Sequence, residues 1–254
     1  MEQRDRILAK VRALLAKAES SDYPEEAAIY TAKAQELIAT YAIDMALVEE
    51  REGRGDIATR LIQIPKPYPK EKFILLGGIA RANNARAILG IEHELLWQMV
   101  EDRSFLEFDG RVASVVGYES DLDAVELLFT SLLLQATTEM LAHGSQVTEW
   151  GENRTRSFRR SFLYQFGWTV RERLEAARDR ARGEAVRTHG ESMLPVLASR
   201  EDAVLAEIEE RFPNTSTLRT SVSNASGVRA GETAGRRADI GSTRFRGRHS
   251  ALGA

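Results

Sequence analysis

The sequence predicts an α+β protein that is mainly helical, with long helices and a small antiparallel sheet. Three observations predict this fold class. Apolar residues recur at helical spacing over several long stretches, two short stretches alternate like strands on either side of Asp109-Gly110, and prolines between 65 and 69 interrupt the helical pattern. With 43% hydrophobic and 29% charged residues among 254, the composition is that of a globular protein.

Residues 1–50 are predicted to form an amphipathic helical hairpin domain. One apolar stripe runs from Ile7 to Ala18 and a second from Ala27 to Tyr41, each with apolar residues every three or four positions. Between them, Pro24 is of a type favoured in the first turn of a helix. Two helices joined by so short a connection are expected to pack nearly antiparallel.

A linker is predicted at residues 51–72, with Leu61–Ile64 as a short strand within it, and a body domain at residues 73–212. The elements predicted in the body are a helix at Phe73–Asn83, strands at Arg86–Gly90, Ser104–Phe108 and Arg111–Gly117, long helices at Ser120–His143 and Arg154–Arg182, a short strand at Met193–Ala198 and a helix from Ser199 to Phe212. Asp109-Gly110 indicates a hairpin, because both positions of such a turn need positive φ. Residues 213–254 are a basic C-terminal segment rich in Gly, Ser and Arg.

Charge is distributed unevenly along the chain. The net charge is −3, yet residues 213–254 carry seven arginines against Glu232 and Asp239, a local charge of +5 that leaves −8 for the rest. A basic tail on an acidic body is typical of a segment that contacts nucleic acid or a protein partner. A solvated tail in an arginine-rich chain is the alternative.

The expected location is the cytoplasm, without a membrane partner. The charged N-terminus leads directly into the amphipathic pattern, unlike a signal peptide, and no apolar run is expected to be long enough to span a bilayer. The absence of cysteine excludes disulfides, thiolate metal sites and cysteine nucleophiles. No cofactor is predicted, and the oligomeric state is left open.

Several segments of the chain resemble one family. Lys10–Ser20, Pro24–Ala27 and Ala32–Ala39 resemble, in order and spacing, the bacterial and bacteriophage domain of unknown function number 2786, whose members carry this hairpin at the N-terminus. Gly117–Ala136 and Ser157–Phe162 resemble the larger domain that commonly follows it. The resemblance implies a bacterial or phage origin and an architecture. It implies no catalytic residue.

The segment His93-Glu94-Leu95-Leu96-Trp97 comes nearest to a catalytic motif. A zinc-protease helix carries His-Glu-x-x-His, with two histidine ligands and the glutamate as general base. Trp97 stands at the second ligand position and cannot bind zinc, so no metal site is predicted. An enzyme of the hydrolase type, with an unrecognised carboxylate or histidine site in the body domain, is the alternative to a protein without catalytic activity.

The long helix predicted from Arg154 carries two rows of side chains at four-residue steps. One row is apolar: Phe158, Phe162, Phe166 and Val170. The other lies about 200° away around the helix and combines arginine with aromatic residues: Arg156, Arg160, Tyr164 and Trp168. Such a face can contact phosphates and stack on bases. The alternative is a helix buried on both sides, with its arginines paired to acids of the body.

The C-terminal segment supplies further candidates for nucleic-acid contact. They are Arg229, Arg236, Arg237, Arg244, Arg246 and Arg248. Gly227, Gly231 and Gly235 recur every four residues, which on a helix would permit close packing. Glycine costs about 0.8–1.0 kcal/mol relative to alanine inside a helix, so a tail that stays disordered until a partner binds is the alternative.

The sequence therefore favours a non-enzymatic binding or accessory protein. Its partner would be nucleic acid or another protein, contacted through the hairpin and the basic tail. Arginine contacts to a nucleic-acid backbone would weaken strongly with salt and show little sequence preference.

Overall fold

The structure is a computed structural model that describes residues 56–90, 110–191, 193–238 and 240, with eleven separate positions between Arg6 and Leu37. The chain divides into two compact units. Residues 1–37 and 239–254 form one unit, and residues 38–238 form the other.

The described positions of the first unit agree with the predicted hairpin. All eleven positions between Arg6 and Leu37 are helical. Val11, in the first apolar stripe, and Ala34, in the second, are fully buried. The Lys17 amine lies 5.4 Å from the centre of the Tyr30 ring. This contact joins the end of one stripe to the start of the other, as antiparallel packing requires.

The second unit contains a three-stranded antiparallel sheet. Strands β1 (Ile57–Pro65), β2 (Arg86–Leu89) and β3 (Gly110–Tyr118) lie in the order β1-β3-β2. Strand β1 runs opposite the whole of β3, and β2 runs opposite its residues 113–116. Together with the long helices described below, this sheet confirms the predicted α+β class.

The partners of β3 differ from those predicted around Asp109-Gly110. The predicted partner strand, Ser104–Phe108, lies outside the described residues. Strand β3 is paired with β1 on one edge and with β2 on the other, and the Gly90 amide extends the second pairing by donating to the Val112 carbonyl at 3.2 Å. Both partners are distant in sequence, and a turn signal reports only on the segments next to it.

Strand β1 lies in the stretch that the sequence assigns to a linker, residues 51–72. The strand expected at Leu61–Ile64 is present, but it extends over Ile57–Pro65 and forms an edge of the sheet. Pro69 then begins the first helix described in this unit, at a position where a proline is favoured. The part of the predicted linker from Ile57 onward therefore belongs to the body.

Five helices are described in the second unit. They are α1 (Pro69–Ala82), α2 (Glu119–Ala142), α3 (Thr155–His189), α4 (Met193–Arg211) and α5 (Ala225–Arg237). The predicted strand at Met193–Ala198 is wrong, since these residues are the start of α4. Pro195 stands in the first turn, where its missing N–H would have had no partner within the helix.

Helix α3 is central to the packing. One side lies against α1, where a Cβ on Gly167 would stand 3.0 Å from the Leu75 nitrogen. The predicted apolar row is buried, and the rings of Phe162 and Phe166 stack with centres 6.2 Å apart. Helix α4 covers the sheet separately, with Val204 packed against buried residues at the end of β3.

Three glycines of α5 face α3, as close packing predicts. An added Cβ would collide with α3 at each one: Gly227 with the carbonyl oxygen of Phe158, Gly231 with that of Phe162, and Gly235 with the side chain of Thr169. The two backbones are therefore too close for a side chain to fit between them. Residues 225–237 of the basic C-terminal segment form a helix packed on the body, rather than a solvated tail.

Helix α2 is long and apolar enough, by length and composition, to cross a bilayer, although no such run is expected from the sequence. A core helix of a folded domain meets the same two conditions. In the structure 44% of its most apolar window is buried, and Leu122, Leu128 and Leu132 line its inner side. Leu134 and Leu141 are exposed. Apolar residues on both sides raise the mean hydropathy of this helix.

Candidate nucleic-acid interface

The aromatic residues predicted on α3 form a small, partly exposed surface. The ring centres of Tyr164 and Trp168 are 6.3 Å apart, and Trp168 is 36% exposed. The guanidinium of Arg171 lies 4.9 Å from the centre of the Trp168 ring, within the range of a cation–π contact. An aromatic pair with a cation beside it is a suitable surface for stacking a nucleic-acid base.

Arg160 of the same row is anchored to the body. Its Nε donates to the Glu71 carboxylate at 2.6 Å, and the Glu71 side chain is only 6% exposed while that of Arg160 is 40% exposed. Removing Arg160 would leave Glu71 buried without this partner, which is costly. Arg160 therefore follows the alternative in which the arginines of α3 pair with acids of the body, although part of its side chain is exposed. Arg156, one turn earlier, is exposed.

The arginines of the C-terminal segment lie elsewhere. Arg229 is exposed, Arg236 pairs with Glu232 at 2.7 Å, and Arg237 pairs with Glu139 of α2 at 3.3 Å. Helix α5 packs on the apolar row of α3, about 200° around the helix from the arginine–aromatic row. The two predicted sets are therefore on different sides of α3. Arg244, Arg246 and Arg248 lie outside the described residues.

A buried charged cluster was not predicted. Arg200 of α4 lies 3.5 Å from the Asp121 carboxylate of α2, and its guanidinium carbon lies 3.5 Å from the centre of the Tyr118 ring. All three side chains are buried. The cluster fastens α4 to the junction of β3 and α2. Arg200 is 79 residues from Asp121 in sequence, and no local pattern connects it to Tyr118 and Asp121.

The Lys72 side chain is buried in the body. It donates to the Pro65 carbonyl at 2.9 Å, which ties α1 to the end of β1. Burial lowers the pKa of Lys72, because the interior disfavours its charged form. The contact is a structural tie between two elements.

A groove between β1 and α2 offers mainly apolar contacts. Its lining includes Leu61, Phe129, Thr130, Leu133, Leu134 and Thr137. Glu126 is the carboxylate of this lining, and it is engaged by Arg60 at 3.1 Å. Among the residues that the structure describes, no three His, Asp or Glu side chains are grouped to hold a metal ion. His93 and Glu94 lie outside the described residues.

Residues 6–45 match the family model described as protein of unknown function (DUF2786). The match covers the segment of the predicted hairpin and does not extend into the body. The match confirms the resemblance found in the predicted hairpin. The similarity of Gly117–Ala136 and Ser157–Phe162 to the domain that commonly follows DUF2786 stays a prediction. A comparison with curated proteins found no match, and neither did a comparison with solved structures.

Proposed function

We propose that this protein is a non-enzymatic binding protein that contacts single-stranded nucleic acid through the partly exposed Tyr164–Trp168 surface of α3. The arrangement of Tyr164, Trp168 and Arg171 carries the proposal, because it combines two adjacent rings with a guanidinium at a partly exposed surface. Proteins that bind single strands without sequence preference use aromatic stacking beside a positively charged track.

The positive track is supplied by a line of arginines on α3. At 100° per residue, five arginines fall within a sector of about 80°: Arg156, Arg160, Arg171, Arg178 and Arg182. We name this set the arginine stripe. It extends over about 39 Å at 1.5 Å per residue, and the aromatic pair lies beside it. Arg171, Arg178 and Arg182 are partly buried and contact carboxylates, whereas Arg156 is exposed and the side chain of Arg160 is 40% exposed. A strand could therefore place phosphates at the Arg156 end of the stripe and a base on Trp168.

Titration of labelled single-stranded DNA and RNA, followed by fluorescence anisotropy, tests the proposal. We expect binding that weakens from about 50 to 200 mM salt, with a log–log slope near −2 for about three phosphate contacts. Trp168→Ala should weaken binding about tenfold or more, since a stacked base contributes about 1–3 kcal/mol.

Trp150→Ala is the matched control. Trp150 is 93% exposed in the connection between α2 and α3 and is not part of the arginine–aromatic row, so its removal should leave the affinity unchanged. The proposal fails if neither nucleic acid binds at the lowest salt. It also fails if the two tryptophan variants lose affinity equally.

A further inference from the structure

Four arginines converge at the turn between α1 and β2. Arg81 lies in the last turn of α1, Arg86 begins β2, and Arg178 and Arg182 come from the C-terminal half of α3. Asn84 occupies the turn with a φ of 54°, a left-handed conformation that Asn tolerates better than most residues. The arginines are thus brought together by three separate elements.

Two of these guanidiniums donate hydrogen bonds to uncharged groups. Arg182 donates to the side-chain oxygen of Asn84 at 3.1 Å, and Arg178 donates to the carbonyl oxygen of Arg81 at 3.2 Å. The Nε of Arg178 is buried and makes no hydrogen bond among the described residues, although it lies 3.5 Å from the Asp179 carboxylate. Each guanidinium carries five N–H donors in a rigid fork, so these contacts orient the two groups and leave donors for another acceptor.

The carboxylate of Glu201, from α4, lies between Arg86 and Arg182. It accepts from Arg86 at 2.6 Å and lies 3.9 Å from Arg182. The hydrogen bond from Arg86 lowers the pKa of Glu201, and the charges of Arg182 and Arg178 add to this effect. The pKa of Arg182 is also lowered, first by burial and then by the neighbouring charge of Arg178. Like charges are therefore crowded here.

The cluster carries more positive than negative charge. Glu175 contacts both Arg81 and Arg171, and Asp179 contacts Arg178. Arg171 joins the four arginines because it shares Glu175 with Arg81. Among the described residues, three carboxylates thus contact five guanidiniums, an excess of two positive charges. A network that only fastened helices together would gain nothing from this excess. A phosphate group, with a charge of about −1.5 to −2 at neutral pH, would balance it.

We propose that Arg178 and Arg182, beside Asn84, form a binding site for a phosphate group. Guanidinium forks match the geometry of phosphate oxygens and can donate two hydrogen bonds at once. Free phosphate or pyrophosphate would supply this chemistry, and so would the 5′-phosphate of a strand lying on the arginine stripe. Only the second source rests on the proposed function.

The first experiment measures the melting temperature of the full-length protein in phosphate, pyrophosphate and chloride at equal ionic strength. Phosphate and pyrophosphate should raise the melting temperature beyond chloride, because they bind the folded state. Arg182→Gln should weaken this binding about tenfold or more. Arg187→Gln is the matched control, since Arg187 is an exposed residue of the same helix paired with Glu184, and it should retain the full effect.

A second variant separates binding from structural damage. Glu201→Gln removes the carboxylate that competes for the guanidiniums, so it should bind phosphate several-fold more tightly. A site with only a structural role would show no such gain. Equal melting temperatures in phosphate and chloride, or a phosphate effect that persists in Arg182→Gln, would overturn the proposal.

Oligonucleotides of one sequence with a 5′-phosphate or a 5′-hydroxyl distinguish the two sources. Tighter binding of the phosphorylated strand, lost in Arg182→Gln, assigns the site to a strand end. If both strands bind equally well while phosphate still raises the melting temperature, the site binds a free anion. Trp168→Ala should leave the phosphate effect intact, so failure of the proposed function and failure of this site are separate results.

Discussion

Replacing Gly231 by alanine tests the close contact between α5 and α3. The added methyl group would collide with the carbonyl oxygen of Phe162. Because the obstacle is backbone and cannot rotate away, α5 must shift along its whole contact. Such overpacking costs typically about 1–3 kcal/mol. Because the obstacle is backbone, we expect a cost in the upper part of this range, about 2–3 kcal/mol. The higher helix propensity of alanine returns about 0.8–1.0 kcal/mol, which leaves a net loss of about 1–2 kcal/mol in the free energy of unfolding.

Gly183→Ala is the matched control for this substitution. Gly183 lies inside α3, and an added Cβ there meets no atom within 4 Å. The same chemical change should therefore stabilise the protein by about 0.5–1 kcal/mol. Urea denaturation followed by circular dichroism measures both values.

Limited proteolysis within residues 213–224, which precede α5, shows whether the helix detaches in the Gly231 variant. Cleavage there should be faster than in the parent protein, because α5 would hold this segment less firmly. A Gly231→Ala protein as stable as the parent, beside a Gly183→Ala protein that behaves as expected, would refute the close contact.

Two further predictions concern the charged groups of α4. Arg200→Leu leaves the buried Asp121 without its ion-pair partner and should lower the free energy of unfolding by about 3 kcal/mol, measured in urea. Glu201 stabilises the fold above its ordinary pKa of 4.5, and this contribution is lost as the pH falls through the lower pKa of the folded state. Glu201→Gln should therefore flatten the acid decline of the melting temperature, and an unchanged decline would contradict the Arg86 contact.

Much of the helical structure could be predicted because its signal is local. A run rich in Leu, Val and Phe placed α2, and apolar residues at four-residue steps placed α3, which extends to His189 beyond its predicted end at Arg182. The row from Phe158 to Phe166 is the face that is buried. The failure at Met193–Ala198 has a local cause as well. Pro195 is compatible with an interrupted short strand, but the first turn of a helix accepts a proline equally well.

The candidate site was predictable only in part. The arginine–aromatic row was visible as a pattern on one helix, and Tyr164 and Trp168 are indeed neighbours at its surface. Glu71, which holds Arg160, belongs to a different helix. The convergence of Arg86, Arg178 and Arg182 depends on a turn, a strand and a helix that meet only in the folded chain.

The sequence by itself determined most of α1, α2 and α3 and the apolar face of α3, because these follow from contacts between residues a few positions apart. Tertiary structure alone decided that β1 and β2 enclose β3, that α5 lies directly on the backbone of α3, and that arginines from three elements meet at one turn. These outcomes depend on pairings between distant segments. Such pairings are selected by packing and charge over the whole domain, and they leave no periodic trace in the sequence.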